Sequence, residues 1–158
     1  MPAPDFVLEL RKAIGTAPLW LSGVTAVILD DSGTRMLLQR RADNGDWSPV
    51  TGIIDPGEEP AIAAAREALE EANVRIAVER LARVATTPEV IYENGDRSQY
   101  LDLTFRCRYL GGDPYPADGE ASAVEWFAVD ALPAMREEYL NRIDAALSGD
   151  VAARFLTA

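Results

Sequence analysis

The sequence predicts an α/β sandwich built around a mixed β-sheet. Three observations carry that expectation. β-branched and apolar stretches flank one alanine-rich helical segment, a well-alternating strand follows it, and an amphipathic stretch lies near the end of the chain.

Taken in order, Phe6 to Ile14 places Phe6, Val7, Leu10 and Ile14 on one side of a short amphipathic helix, at about residues 4–15. Gly23 to Leu29 reads as a buried strand. The turn Asp30-Asp31-Ser32-Gly33 folds Arg35 to Arg41 back on it as a hairpin. Gly52, Asp55-Pro56-Gly57 and Pro60 predict a loop before a helix that Pro60 opens. The run Ala61 to Ala72 is made of strong helix formers, and Asn73 suits the left-handed residue that ends it. Val74 to Val78 and Leu81 to Thr86 read as two strands. From Gln99 to Leu110, Leu101, Leu103, Phe105, Cys107 and Tyr109 face one way. Trp126 to Val129 is a late strand. Pro133 then opens the C-terminal helical region, about 133–156, with Met135, Tyr139, Leu140, Ile143 and Leu147 on its apolar side. The whole chain, 1–158, is expected to be one domain.

Composition narrows the function. Fifteen Lys and Arg against 26 Asp and Glu give a net charge of -11. That balance argues against polymeric nucleic acid or an anionic membrane as partner, and admits a nucleotide only if metal supplies positive charge. Cys107 is the single cysteine, which suits a reduced, cytoplasmic setting. Met1 to Leu10 lacks the basic start and apolar core of a signal peptide, and no apolar run is long enough to span a bilayer.

The chemistry concentrates between Gly52 and Val74. Glu67, Glu70 and Glu71 stand at i, i+3 and i+4 and share one helix stripe, while Ile62, Ala65, Leu69 and Ala72 are expected to face the core. Like charges at these spacings repel, and a hard divalent ion with oxygen ligands removes the repulsion. A solvated acidic face is the bland alternative for an isolated helix. Gly52 and Glu58 at fixed distances upstream tip the balance to metal.

That pattern, Gly52, five residues, Glu58, seven residues, then Arg66-Glu67-Ala68-Leu69-Glu70-Glu71-Ala72-Asn73-Val74, resembles the Nudix box. Ala68 stands where the box has a bulky aliphatic residue, and Asn73 where it has glycine. The resemblance implies a Nudix-type α/β/α sandwich over about Gly23 to Leu147. It also implies hydrolysis of a nucleoside diphosphate linked to another group, with Mg²⁺ or Mn²⁺ as cofactor. By the same resemblance Glu67, Glu70 and Glu71 ligate metal, Glu70 and Glu71 foremost. Glu58 supports them, and Arg66 orients a box glutamate.

Outside the box, the resemblance makes Glu120 a candidate metal ligand or general base; the alternative is a solvated loop carboxylate. Arg40 or Arg41 is expected to hold a phosphate, and since neighbouring strand residues face opposite ways, only one should reach the cleft. Trp47 is assigned to the core. Tyr92, Arg97, Tyr100 and Asp102 could line the far wall, with Tyr100 or Tyr92 against a base or sugar. Pro88 and Tyr92 lie near intervals that mark ADP-ribose and dinucleoside polyphosphate enzymes of the family. The first helix and the strand entering at Leu19 could form a homodimer. An ADP-ribose-like sugar nucleotide is the leading substrate expectation. Nucleoside triphosphates, dinucleoside polyphosphates and a non-catalytic nucleotide sensor are the alternatives.

Overall fold

The computed structural model describes residues 3–157. Among them eight strands and three α-helices form a mixed sheet with helices on both faces. α1 spans Asp5–Ile14, and β1, Leu19–Leu29, enters the sheet directly after it. β2 is Arg35–Arg41, β3 Trp47–Ser48 and β4 Val50–Ile53. α2, Pro60–Ala72, leads to β5, Arg75–Thr86. β6, Val90–Ile91, β7, Arg97–Gly111, β8, Ala121–Ala128, and α3, Glu137–Leu147, complete the order.

β1 is the central axis. It runs parallel to β7 from Leu19↔Ser98 to Leu29↔Arg108. Its other edge changes partner: Gly23 to Ala26 pair antiparallel with β4, and Ile28 and Leu29 with β2. The sheet therefore splits along β1, and β4 lies beside α2. β8 covers the far edge of β2, and β5 that of β7. Alternation along β1 sends Val24, Ala26 and Ile28 to the α2 side. Val27 and Leu29 go to the α3 side, where they meet Met36, Leu38, Ile143 and Ala146.

Several expected elements are revised. Gly52 is in β4 rather than in a loop. The two strands expected between Val74 and Thr86 are one strand, whose register slips at Val78/Arg80 and Leu81/Arg83 supplied the apparent break. The late strand begins earlier, at Ala121. Pro133 does not open α3, because Arg136 has extended backbone and the helix starts at Glu137; it ends at Leu147, well short of 156. Leu140 is exposed rather than on the packed side. The face of α2 is also corrected. Ala63, Ala64, Glu67, Ala68, Glu71 and Ala72 are buried, whereas Ile62 and Leu69 are 61% and 51% exposed. Small alanines let the helix lie close on the sheet, and that approach carries two carboxylates inward with them. Ala68, fully buried against the sheet, is part of this close contact.

Candidate metal centre

The site is assembled where β4 feeds α2. Gly52 pairs with Val24 at the centre of the sheet, and a turn through Gly57, with φ of 84°, reverses the chain. Within that turn the Glu58 N–H donates to the Asp55 carbonyl, and the Asp55 N–H donates to Glu58 Oε2. Pro60 begins α2, and Asn73 ends it in the left-handed conformation, φ 55° and ψ 36°. A Cβ on Gly52 would lie 2.1 Å from Glu67 Cδ, so glycine there is what gives the Glu67 carboxylate its place.

Arg66 gathers the loop and helix carboxylates. Its Nε donates to Glu58 Oε1 at 2.8 Å and its Nη2 to Glu58 Oε2 at 2.9 Å, a two-pronged pair. Nη1 reaches Glu67 Oε1 at 2.9 Å and Glu70 Oε2 at 3.1 Å, and Nη2 also reaches the Ile53 carbonyl. The Arg66 guanidinium is held firmly in its charged form, and the bond from Arg66 holds the Glu58 carboxyl below its usual range.

Glu71 faces a second group. Its oxygen and one each from Asp118 and Glu120 lie within 4.8 Å of one another. The Ala117 N–H donates to the Glu71 carbonyl, which ties that late loop to α2, and the Glu120 N–H donates to Asp118 Oδ1. From β2, Gln39 Nε2 donates to Glu71 Oε2 at 2.8 Å. Burial pushes both the Glu67 and Glu71 carboxyls up to about 7.

The expected site residues thus fall into two neighbouring sets: Glu58, Glu67 and Glu70 around Arg66, and Glu71 with Glu120. Asp118, two residues before Glu120 in the same loop, joins the second set. Gln39 carried no sequence signal of its own. Arg41 and Arg40 diverge as alternation requires, with a register shift between them. Arg41 pairs with Asp43 and feels the charge of Glu71, whereas Arg40 donates to the Gly45 carbonyl. The Tyr100 hydroxyl lies 2.7 Å from that of Tyr92, and Arg97 pairs with Glu89. Trp47 meets Phe127 edge-to-face at 4.8 Å within the α3-side core.

Asp102 belongs to a different wall. It accepts hydrogen bonds from Thr25 and Thr104, each at 2.7 Å, and lies 3.4 Å from Arg142 Nη1. This buried cluster floors an open cleft of about 420 Å³ on the α3 face, bordered by Thr87, Pro88 and Asn141. None of the box glutamates lines it.

A divalent cation fits the donors present. Glu67 Oε2 is buried without a hydrogen-bond partner among the described residues, and two buried carboxyls, Glu67 and Glu71, stand on one helix face. Every donor in the group is a carboxylate oxygen, the ligand type of hard ions rather than soft ones.

Such a fold, with a loop–helix cradle of carboxylates, defines a metal-assisted hydrolase. The NUDIX domain model matches residues 20–147, and the chain belongs to the Nudix family, as a pyrophosphohydrolase. A MutT-like protein of Streptomyces ambofaciens is 35% identical over 133 residues, which is 84% of this chain and 80% of that protein. The NAD-capped RNA hydrolase NudC of Stutzerimonas stutzeri is 32% identical over 112 residues. Those residues cover 69% of this chain but 37% of that relative. Among solved structures, a UDP-X diphosphatase superimposes with a TM-score of 0.64 at 26% identity, covering 90% of this chain and 68% of that one. No helix among the described residues is long and apolar enough to cross a membrane.

Proposed function

We propose that the chain cleaves the diphosphate bridge of an ADP-ribose-like sugar nucleotide, with Mg²⁺ or Mn²⁺ held by Glu67, Glu71 and Glu120, assisted by Asp118 and Glu70. One observation carries the metal reading: buried Glu67 and Glu71 on one face of α2, with the late-loop carboxylates Asp118 and Glu120 brought beside Glu71. The bound ion would neutralise phosphoryl oxygens and acidify the attacking water.

The chain's own residues do the rest. Arg66 fixes Glu58 and Glu67 and leaves Glu67 Oε2 open toward the ion. Glu120 takes the proton from the attacking water at the carboxylate oxygen it does not give to the ion, with Glu70 completing the acidic surround. Arg41 holds a phosphate oxygen of the leaving group, a role its position near Glu71 supports better than that of Arg40. Tyr100, Tyr92 and Arg97 border the path toward the sugar. The similarity to a UDP-X diphosphatase supports a nucleoside diphosphate derivative. A homodimer through α1 and the start of β1 belongs to the same reading, supported by exposed Leu8, Leu10 and Trp20.

The test is turnover with Mg²⁺ across ADP-ribose, UDP-sugars, dinucleoside polyphosphates, nucleoside triphosphates and NAD-capped RNA, with products identified. A nucleoside monophosphate plus a sugar phosphate is the expected outcome. Inorganic pyrophosphate from triphosphates alone would replace this substrate with the house-cleaning alternative. Preferred cleavage of capped RNA would remove the small-molecule assignment.

A further inference from the structure

Gln39 sits on β2 opposite Ser48 of β3, 4% exposed, on the sheet face that meets α2. Its carboxamide donates to the Glu71 carboxylate, from Nε2 to Oε2 at 2.8 Å. The other end of the same amide, Oε1, is buried with no partner among the described residues. A buried acceptor left open is unfavourable, and a leucine or methionine would fill this space without leaving an open oxygen. An amide that cannot lose its proton holds a carboxylate without neutralising it, which neither lysine nor arginine would do. Hydrated divalent ions of this type keep several bound waters, and those waters are donors that an open oxygen beside the site can receive.

We propose that Gln39 is a positioning residue of the cation site: its Nε2 fixes the Glu71 carboxylate for the ion, and its Oε1 remains an acceptor for the ion's hydration shell. The proposal rests on the metal reading above. Partners that orient ligands in this manner typically carry roughly 10- to 100-fold in metal affinity.

The experiment is Mn²⁺ titration of the full chain without substrate, followed by electron paramagnetic resonance and calorimetry, for the wild type, Gln39→Met, Gln39→Leu and Ser48→Ala. Thermal unfolding in chelator runs alongside. Gln39→Met should raise the Mn²⁺ Kd roughly 10-fold or more, while the metal-free melting temperature shifts little, the lost bond to Glu71 offset by removal of the open Oε1. Ser48→Ala, with its buried hydroxyl on the adjoining strand, should leave the Kd unchanged. An unchanged Kd in Gln39→Met and Gln39→Leu, beside a wild type that binds Mn²⁺, would overturn this proposal alone. Loss of metal-free stability in both variants equal to the loss of affinity would make Gln39 a structural residue and overturn it too. A wild type that binds no Mn²⁺ would overturn the metal reading and this proposal together.

Discussion

Gly52 and Glu67 claim the same space: the position of a Gly52 Cβ is 2.2 Å from Glu67 Oε1. A strand residue without a side chain is what allows a glutamate of α2 to lie flat on β4. Gly52→Ala should therefore expel the Glu67 carboxylate, lower Mn²⁺ affinity at least 10-fold by the roughly 10- to 100-fold scale of disturbed ligand shells, and reduce kcat more than KM. Calorimetric Mn²⁺ titration and steady-state kinetics check this, and a variant with unaltered affinity would contradict it.

Burial raises the Glu67 and Glu71 carboxyls to about 7, and the sign of the resulting pH dependence follows. The folded protein holds these protons more tightly than the unfolded chain, whose glutamates titrate near 4.5. Their contribution to metal-free stability is thus fully present below about pH 4.5 and declines as pH rises toward 7. A cation needs the deprotonated form, so its stabilisation should grow over the same interval. Melting curves in chelator and in Mn²⁺ from pH 5 to 8 should diverge as pH increases. Glu71→Gln should be more stable than wild type in chelator at pH 8, by on the order of 2 kcal/mol, and should lose most of the response to Mn²⁺.

Arg66 joins the loop to the helix through its two bonds to Glu58 and its contacts with Glu67 and Glu70. Arg66→Lys keeps the charge but cannot reproduce the fork. It should lower stability by about 1–3 kcal/mol and speed amide exchange between Ile53 and Glu59 more than elsewhere. Urea unfolding and hydrogen exchange read both effects.

Neighbouring arginines separate the phosphate role. Arg41→Ala should lower kcat/KM by roughly 10-fold or more, the loss of a charge-assisted contact, while Arg40→Ala stays within about 2-fold. Equal losses in the two variants would remove Arg41 from the cleft.

Much of this arrangement was legible in the sequence because it is local. Pro60, the alanine run and Asn73 mark the bounds of α2, and spacing alone places Glu67 and Glu71 on one stripe. What spacing did not reveal is which stripe turns inward. Ile62 and Leu69 looked like the core face by hydrophobicity, yet alanine at 63, 64, 68 and 72 permits the closer contact with the sheet, and the carboxylates follow. Contacts distant in sequence were also hidden. The Gln39–Glu71 bond spans 32 positions and the Thr25–Arg142 bond 117, with no periodic signal to announce either. Asp118 and Glu120 could be named as acidic loop residues, but their convergence on Glu71 depends on the start of β8, which lay earlier than its hydrophobic centre suggested.

The central claim is that carboxylates on the buried face of α2 hold the ion that drives diphosphate cleavage. Its most direct test is the Mg²⁺ dependence of ADP-ribose hydrolysis by wild type and Glu71→Gln, with folding of the variant confirmed by its melting curve. The account expects saturable Mg²⁺ activation in the wild type and a loss of roughly 10³-fold in kcat, about 4 kcal/mol of barrier, in a variant that remains folded. Hydrolysis that persists in chelator, or a folded Glu71→Gln protein with near wild-type turnover, would contradict it.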